Sequence, residues 1–367
     1  VTEAQYQALE TFLRQISSFS FYQEAELAFS EFTQAAFAVY SMLIEPIEEG
    51  LPRTGSKLII VPDGLINFVS FQALLSRLPE DENKIDYSLN NLSYLLEDYQ
   101  IRYAYSASQL AFFRKKNQSR SKQKGFVGFA PYFGEGNDVA DARRTCEEEN
   151  LAPLTENEYE VRAIAKLVNG KSYIGEKANV SVFKKVADQY SILHLATHAC
   201  SQADAPLYQK IFFGQEDYLY TFDLYDLDLA ADLVVLSACE TGIGRLVEGE
   251  GVLSLARGFA YAGSPSILTT LWSVSDRSTA DIMVEYYRKL QEGQSKSQAL
   301  REAQLDYLKD QKPDLMHPVY WAGFVQVGLD EAIDFRSKGW MTYYILAALI
   351  FLLGIFFIRK RSIQPTR

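Results

Sequence analysis

The chain has 367 residues, 48% of them hydrophobic, which is enough to bury a sizeable core in one or two domains and is not a disordered composition. A formal charge of −11, from 36 basic and 47 acidic side chains, argues against a nucleic-acid partner, because phosphate binding needs a basic field. Three scattered cysteines exclude a disulfide scaffold. The opening at Val1, without Met, is expected of a fragment or a processed form.

Residues 3–49 read as helix. "YQALETFLRQISSF" and "ELAFSEFTQAAFAVYSMLIEPI" place apolar residues at three- and four-residue spacings, up to Pro46 and the Gly50–Pro52 stretch. Segment 1–54 is therefore a helical segment of the kind that ends a helical repeat array, although one or two helices show no period. Beyond residue 55, short apolar runs alternate with helical patterns. Strands are predicted at 57–64, 99–106, 124–131, 171–175, 191–199, 232–240, 265–275 and 319–328. Helices are predicted at 156–168, at 179–189 with Asn179 as a cap, and at 251–263, 276–293 and 296–310. "RKKNQSRSKQKG" (114–125) reads as a solvated loop. This alternation predicts an α/β domain over 55–330, a largely parallel sheet flanked by helices.

A linker at 331–339 leads to "WMTYYILAALIFLLGIFFI" (340–358), a run without a charge. As helix it spans roughly 28 Å, about one hydrocarbon thickness, so a single transmembrane helix is expected. Trp340, Tyr343 and Tyr344 mark one interface, and Arg359, Lys360 and Arg361 open the basic tail 359–367. The expectation is a single-pass protein of a bacterial inner membrane with its body in the periplasm. Arg336 and Lys338 on the other flank keep the cytosolic orientation open.

In open α/β sheets, reactive residues gather beyond the carboxyl ends of strands. Two runs put them there: "HLATHAC" with His198, and "SACETG" with Cys239. Adjacent parallel strands would bring the two to one edge. A thiol needs a base to become a thiolate, the imidazole can then protonate a leaving amine, and the backbone amides of Ala199 and Cys239 could hold an oxyanion. Cys239 alone would read as a core residue, since cysteine is among the most buried types. His194, earlier in the same strand, is the better candidate for a partnered core histidine. A metal held by His194, His198 and Cys200 fails on spacing, because residues four apart on a strand lie about 13 Å apart. No metal and no cofactor are expected. The glycines of "GIGRLVEGEG" lack a third glycine at Val247, so they do not form a dinucleotide fingerprint and read instead as a loop beside Cys239.

Several ordered stretches resemble one family. "ILHLATHA", "LVVLSACETGIGRLVEGEGVLSLARGFAYAGSPSILTTLWSVSD" and "HPVYWAGFVQVG" look like the CHAT domain, a caspase-like module related to separase. "IIVPDGLINFVSFQALL" (59–75) and "YAYSASQL" (103–110) resemble its N-terminal half. The resemblance covers about 55–330. It implies a caspase–haemoglobinase fold and a thiol endopeptidase with a His198–Cys239 dyad acting on a protein or peptide substrate, with tetratricopeptide-type helical repeats upstream as a regulatory partner. The family usually has glycine after the histidine, whereas Ala199 stands here, with narrower backbone freedom. By the same resemblance Asp276 lies near the pocket for the side chain before the cut and favours a basic one; its other reading is a cap for the helix 277–292. Cys200, two residues past His198, could form a disulfide with Cys239 and silence it. The alternative to a peptidase is a CHAT-type signalling or protein-interaction module that keeps the fold without the activity.

Overall fold

A computed structural model describes residues 2–17, 25–52, 55–81, 84–117, 124–134, 151, 153–200, 206–237, 245–247, 251–253 and 255–335. Two helices open the chain, α1 (Glu3–Ser17) and α2 (Ala25–Leu43). Eight strands build the central sheet: β1 (Lys57–Ile60), β2 (Gln100–Tyr103), β3 (Lys124–Ala130), β4 (Lys171–Ile174), β5 (Tyr190–Ala196), β9 (Leu233–Ser237), β12 (Ser266–Thr270) and β13 (Phe324–Gly328). A three-stranded antiparallel sheet of β6 (Ala199–Cys200), β7 (Lys210–Phe212) and β8 (Tyr218–Tyr220) lies between β5 and β9 in the chain, and the hairpin β10 (Arg245–Val247) and β11 (Gly251–Leu253) follows β9. The remaining helices are α3 (Leu95–Asp98), α4 (Ala107–Asn117), α5 (Asn157–Leu167), α6 (Val180–Val186), α7 (Thr221–Leu224), α8 (Leu255–Tyr261), α9 (Asp276–Gln291) and α10 (Lys296–Asp310).

The strand order is β1-β2-β13-β12-β9-β5-β3-β4. Every pairing is parallel except β12 with β13, so the largely parallel α/β architecture is observed. Its centre is apolar on both faces, as a sheet covered on both sides requires: β9 and β12 are buried throughout. Strand alternation divides the core. Val127, Phe129, Leu193, Leu195, Val234 and Leu236 meet Phe113 of α4, Phe183 of α6, Leu224 of α7 and Phe259 of α8. The opposite face, with Phe126, Gly128 and His194, meets α5 and α9. Phe126 lies edge-on to Tyr287, and a Cβ at Gly128 would stand 2.7 Å from Val161 Cγ1, so glycine is what lets α5 close on β3.

The α1–α2 pair packs by its aromatic residues. Phe12 stacks on Phe32, Phe29 meets Tyr87 edge-on, and Phe32 and Tyr87 both approach the His317 ring. His317 Nδ1 accepts from Val319 N–H, and burial pushes its pKa down to about 3. Among the described residues no helix is long and apolar enough to cross a membrane; the expected span 340–358 and its flanks lie outside them.

Local differences from the expected elements have physical causes. The strand predicted at 191–199 stops at Ala196; Thr197 N–H still donates to Ser237 O, its Oγ1 donates to Phe212 O, and β6 begins at Ala199, which pairs with Ile211 of β7. The helix expected over 251–263 is split, since residues 251–253 pair with 245–247 before α8 starts. The expected solvated loop at 114–125 is helical up to Asn117. Asn179 caps α6 as expected, accepting from Val182 N–H.

Candidate active site

The pairing of β5 with β9 sets the geometry. Their parallel register aligns Ala196 with Ser237, and Thr197 N–H reaches Ser237 O at 3.2 Å. His198 stands two residues past Ala196 in sequence, and Cys239 two residues past Ser237. Cys239 itself lies outside the described residues. His198 is buried, and its ring meets the Phe133 ring edge-on at 4.7 Å between centroids. Phe133 O is held by Gln215 Nε2, which also donates to Leu151 O at 3.0 Å.

Ala199, the residue after His198, lies in β6. His198 O accepts from Phe212 N–H at 2.9 Å, so 198 and 212 form a hydrogen-bonded pair of the β6–β7 ladder. The next pair, Ala199 with Ile211, is then the non-hydrogen-bonded kind, and Ala199 N–H points away from β7. Ala199 has no positive φ and sits in extended strand, where a Cβ brings no strain. The alanine that replaces the family's usual glycine therefore costs the backbone nothing here.

A small, partly open cleft of about 30 Å³ lies beside these residues on the α5–α9 face. Ala196, Thr197 and Ser237 form its sheet side, and the first turns of two helices form its walls, with Asn157 and Glu160 from α5 and Asp276 and Thr279 from α9. Each helix thus offers an i, i+3 pair, and both carboxylates sit at helix N-termini, where the helix dipole favours negative charge. Asn157 Nδ2 fixes α5 to the sheet by donating to Pro131 O at 3.0 Å and Ala196 O at 3.3 Å. Ser237 Oγ and Thr279 Oγ1 are buried without a hydrogen bond. Among the described residues no lysine or arginine lines the cleft, and Glu160 and Asp276 make its lining acidic.

The two strand histidines have different surroundings. His194 is fully buried: its Nε2 lies 2.9 Å from Glu160 Oε1, within ion-pair distance though outside hydrogen-bond geometry, and its Nδ1 is 3.2 Å from Tyr287 Oη. Burial pushes the Tyr287 hydroxyl well up, so it keeps its proton. His194 is a partnered core histidine, and through Glu160 it braces the floor of the cleft. Asp276 lines the cleft as the first residue of α9, whose N-cap is Ser275, and its Oδ2 accepts from Thr155 N–H at 3.4 Å. It is therefore inside the helix rather than its cap. Cys200 is disulfide-bonded, and its side chain clusters with Phe133, Leu151 and Phe212; Cys146 and Cys239, the other two cysteines of the chain, lie outside the described residues. Among the described residues no group of three His, Cys, Asp or Glu side chains is arranged to hold a metal.

Sequence reasoning did not single out Asn157, Glu160, Ser237 or Thr279. Asn157 and Glu160 belong to a helix whose predicted amphipathic pattern gave no reason to separate its first turn from the rest. Only the packing of α5 beside α9 makes one cleft of them.

The mouse tetratricopeptide repeat protein 28 is 25% identical over 344 residues, covering 82% of this chain and 13% of the relative, so the chain spans a small part of that protein's length. A Saccharomyces cerevisiae separase–securin complex aligns with a TM-score of 0.47 at 11% identity, over 89% of this chain and 22% of that one. The Arg-specific cysteine proteinase gingipain R aligns with a TM-score of 0.46 at 9% identity, over 90% of this chain and 76% of that one. The CHAT domain matches residues 33–329, from within α2 to the residue after β13, and on that match the chain belongs to the CHAT domain family.

Proposed function

We propose that this chain is a cysteine endopeptidase in which Cys239 is the nucleophile and His198 the general acid and base. The carrying observation is the β5–β9 register, which gives positions 198 and 239 the same offset beyond two adjacent parallel strands. In the proposed reaction His198 takes the Cys239 proton, the thiolate attacks the scissile carbonyl, and the amides of Ala199 and Cys239 hold the oxyanion. His198 then delivers the proton to the leaving amine, and water hydrolyses the acyl-enzyme. The acidic cleft takes the side chain before the cut, with Asp276 and Glu160 facing a lysine or arginine. The apolar run 340–358 is the proposed membrane anchor, and upstream helical repeats the proposed regulatory partner.

The reading needs the Cys239 thiol to be free, so Cys146 is the proposed partner of Cys200. Leu151, five residues past Cys146, already packs against Cys200. A second reading, a latent or non-catalytic module, follows if Cys200 pairs with Cys239 instead; peptide mapping without reductant separates the two.

The test of specificity is cleavage of a peptide library. Cuts should follow basic residues, and Asp276→Asn should lower kcat/KM at those sites about 10- to 100-fold, the range for losing a charge-assisted contact. Cleavage after apolar residues, or basic selectivity unchanged in Asp276→Asn, would sink the cleft assignment.

A further inference from the structure

The loop sheet that follows His198 carries a surface with no part in the cleft. On its outer face Tyr208, Tyr218, Tyr220 and Phe222 form a continuous ridge: Tyr208 lies 5.9 Å from Tyr220 and 5.7 Å from Phe222, Tyr218 lies 5.1 Å from Tyr220, and Tyr220 stacks on Phe222 at 4.9 Å. Tyr208 is 56% exposed and Phe222 41%. Single exposed apolar side chains are ordinary, but a contiguous ridge marks an interaction site.

Two observations define the occupant. The ridge already takes a cation on its faces, since Lys210 Nζ stands 4.5 Å from the Tyr218 centroid and 5.9 Å from that of Tyr220. The segment that carries it is acidic in sequence: between Leu207 and Asp228 the one basic residue, Lys210, is set against Glu216, Asp217, Asp223, Asp226 and Asp228. Asp223 pairs with Lys184 and Asp217 receives Val180 N–H, while Glu216, Asp226 and Asp228 are exposed. Flat aromatic faces with carboxylates beside them match a planar cation better than a compact one.

We propose that this ridge is a docking surface for an arginine-bearing segment of a partner protein. β6 starts one residue after His198 and β8 lies one strand beyond β7, so the ridge sits on the sheet that continues from His198. The surface needs only the folded β6–β8 sheet and does not depend on cleavage.

The experiment uses the full chain carrying Cys239→Ala, so that nothing is consumed, with a fluorescein-labelled Arg-Gly repeat peptide and its Lys-Gly and Pro-Gly counterparts, read by anisotropy. The Arg-Gly peptide should bind more tightly than the other two. The double variant Tyr208→Ala/Phe222→Ala should weaken it about 10-fold, Tyr208→Phe should retain binding, and the unfolding midpoint should stay put because both side chains are largely exposed. Equal binding of the Arg and Lys peptides, a preference for Pro-Gly, or affinity that survives the double variant and falls only in Asp276→Asn would each overturn the proposal. A failed peptidase assignment would leave this binding intact.

Discussion

The β1 edge of the central sheet and the ends of β5 and β9 treat buried charge differently. Beside Lys57 at the start of β1, Asp330, two residues past β13, is enclosed by cations. Lys57 Nζ reaches it at 2.6 Å, Ser297 N–H caps α10 on it at 2.6 Å, and Arg102 and Lys296 stand close by, bonded to Gly328 O and Glu331 O. Burial alone would raise its pKa, yet the hydrogen bonds from Lys57 and Ser297 hold the carboxyl below its usual range. Beyond β5 and β9, Glu160 and Asp276 line a cleft that, among the described residues, has no lysine or arginine, beside two buried hydroxyls that lack hydrogen bonds. The first arrangement is complete within the protein and holds the fold together. The second leaves two buried hydroxyls, Ser237 Oγ and Thr279 Oγ1, for a ligand to meet.

The largest expected effect is at the enclosed edge. Asp330→Ala strands Lys57 and the α10 terminus and should lower unfolding free energy by about 3 kcal/mol in urea titrations. A loss below about 1 kcal/mol would mean that this charge cluster does not hold the fold.

A smaller, pH-dependent effect belongs to His317. Its folded pKa is pushed down to about 3, so below its ordinary value near 6.5 the unfolded chain binds a proton that the folded one refuses. Stability from this group is full above about pH 6.5 and falls as pH drops toward 3, by up to about 1.4 kcal/mol per pH unit. His317→Asn, which keeps an acceptor for Val319 N–H, should flatten that slope. Parallel slopes in wild type and variant would remove His317 as the acid-sensitive contact beneath α1 and α2.

The smallest effects sharpen the contrast. Ser237→Ala and Thr279→Ala remove hydroxyls that bond to nothing, so each should leave stability within about 1 kcal/mol or raise it, while weakening capture of basic peptides. A large stability loss in either would place that hydroxyl among the structural groups.

Much of the scaffold could be read from residue patterns. The apolar runs of β9 and β12 predict buried parallel strands, and the Asn179 cap and the core place of His194 follow from local chemistry. What escaped were features made by partners distant in sequence. β6 exists because it pairs with β7, and β11 because it pairs with β10. Glu160 enters the cleft only when α5 packs beside α9, and the aromatic ridge appears only when α7 follows β8. Asp276, expected near a substrate pocket or as a helix cap, lines the cleft as the first residue of α9, and the N-cap position is Ser275.

The dyad is tested most directly by treating the full chain with an arginyl acyloxymethyl ketone and mapping the adduct by mass spectrometry. The account predicts one adduct, on Cys239, abolished in Cys239→Ala and formed at least about 100-fold more slowly in His198→Ala. An adduct on Cys146 or Cys200, or a rate undiminished in His198→Ala, would contradict it.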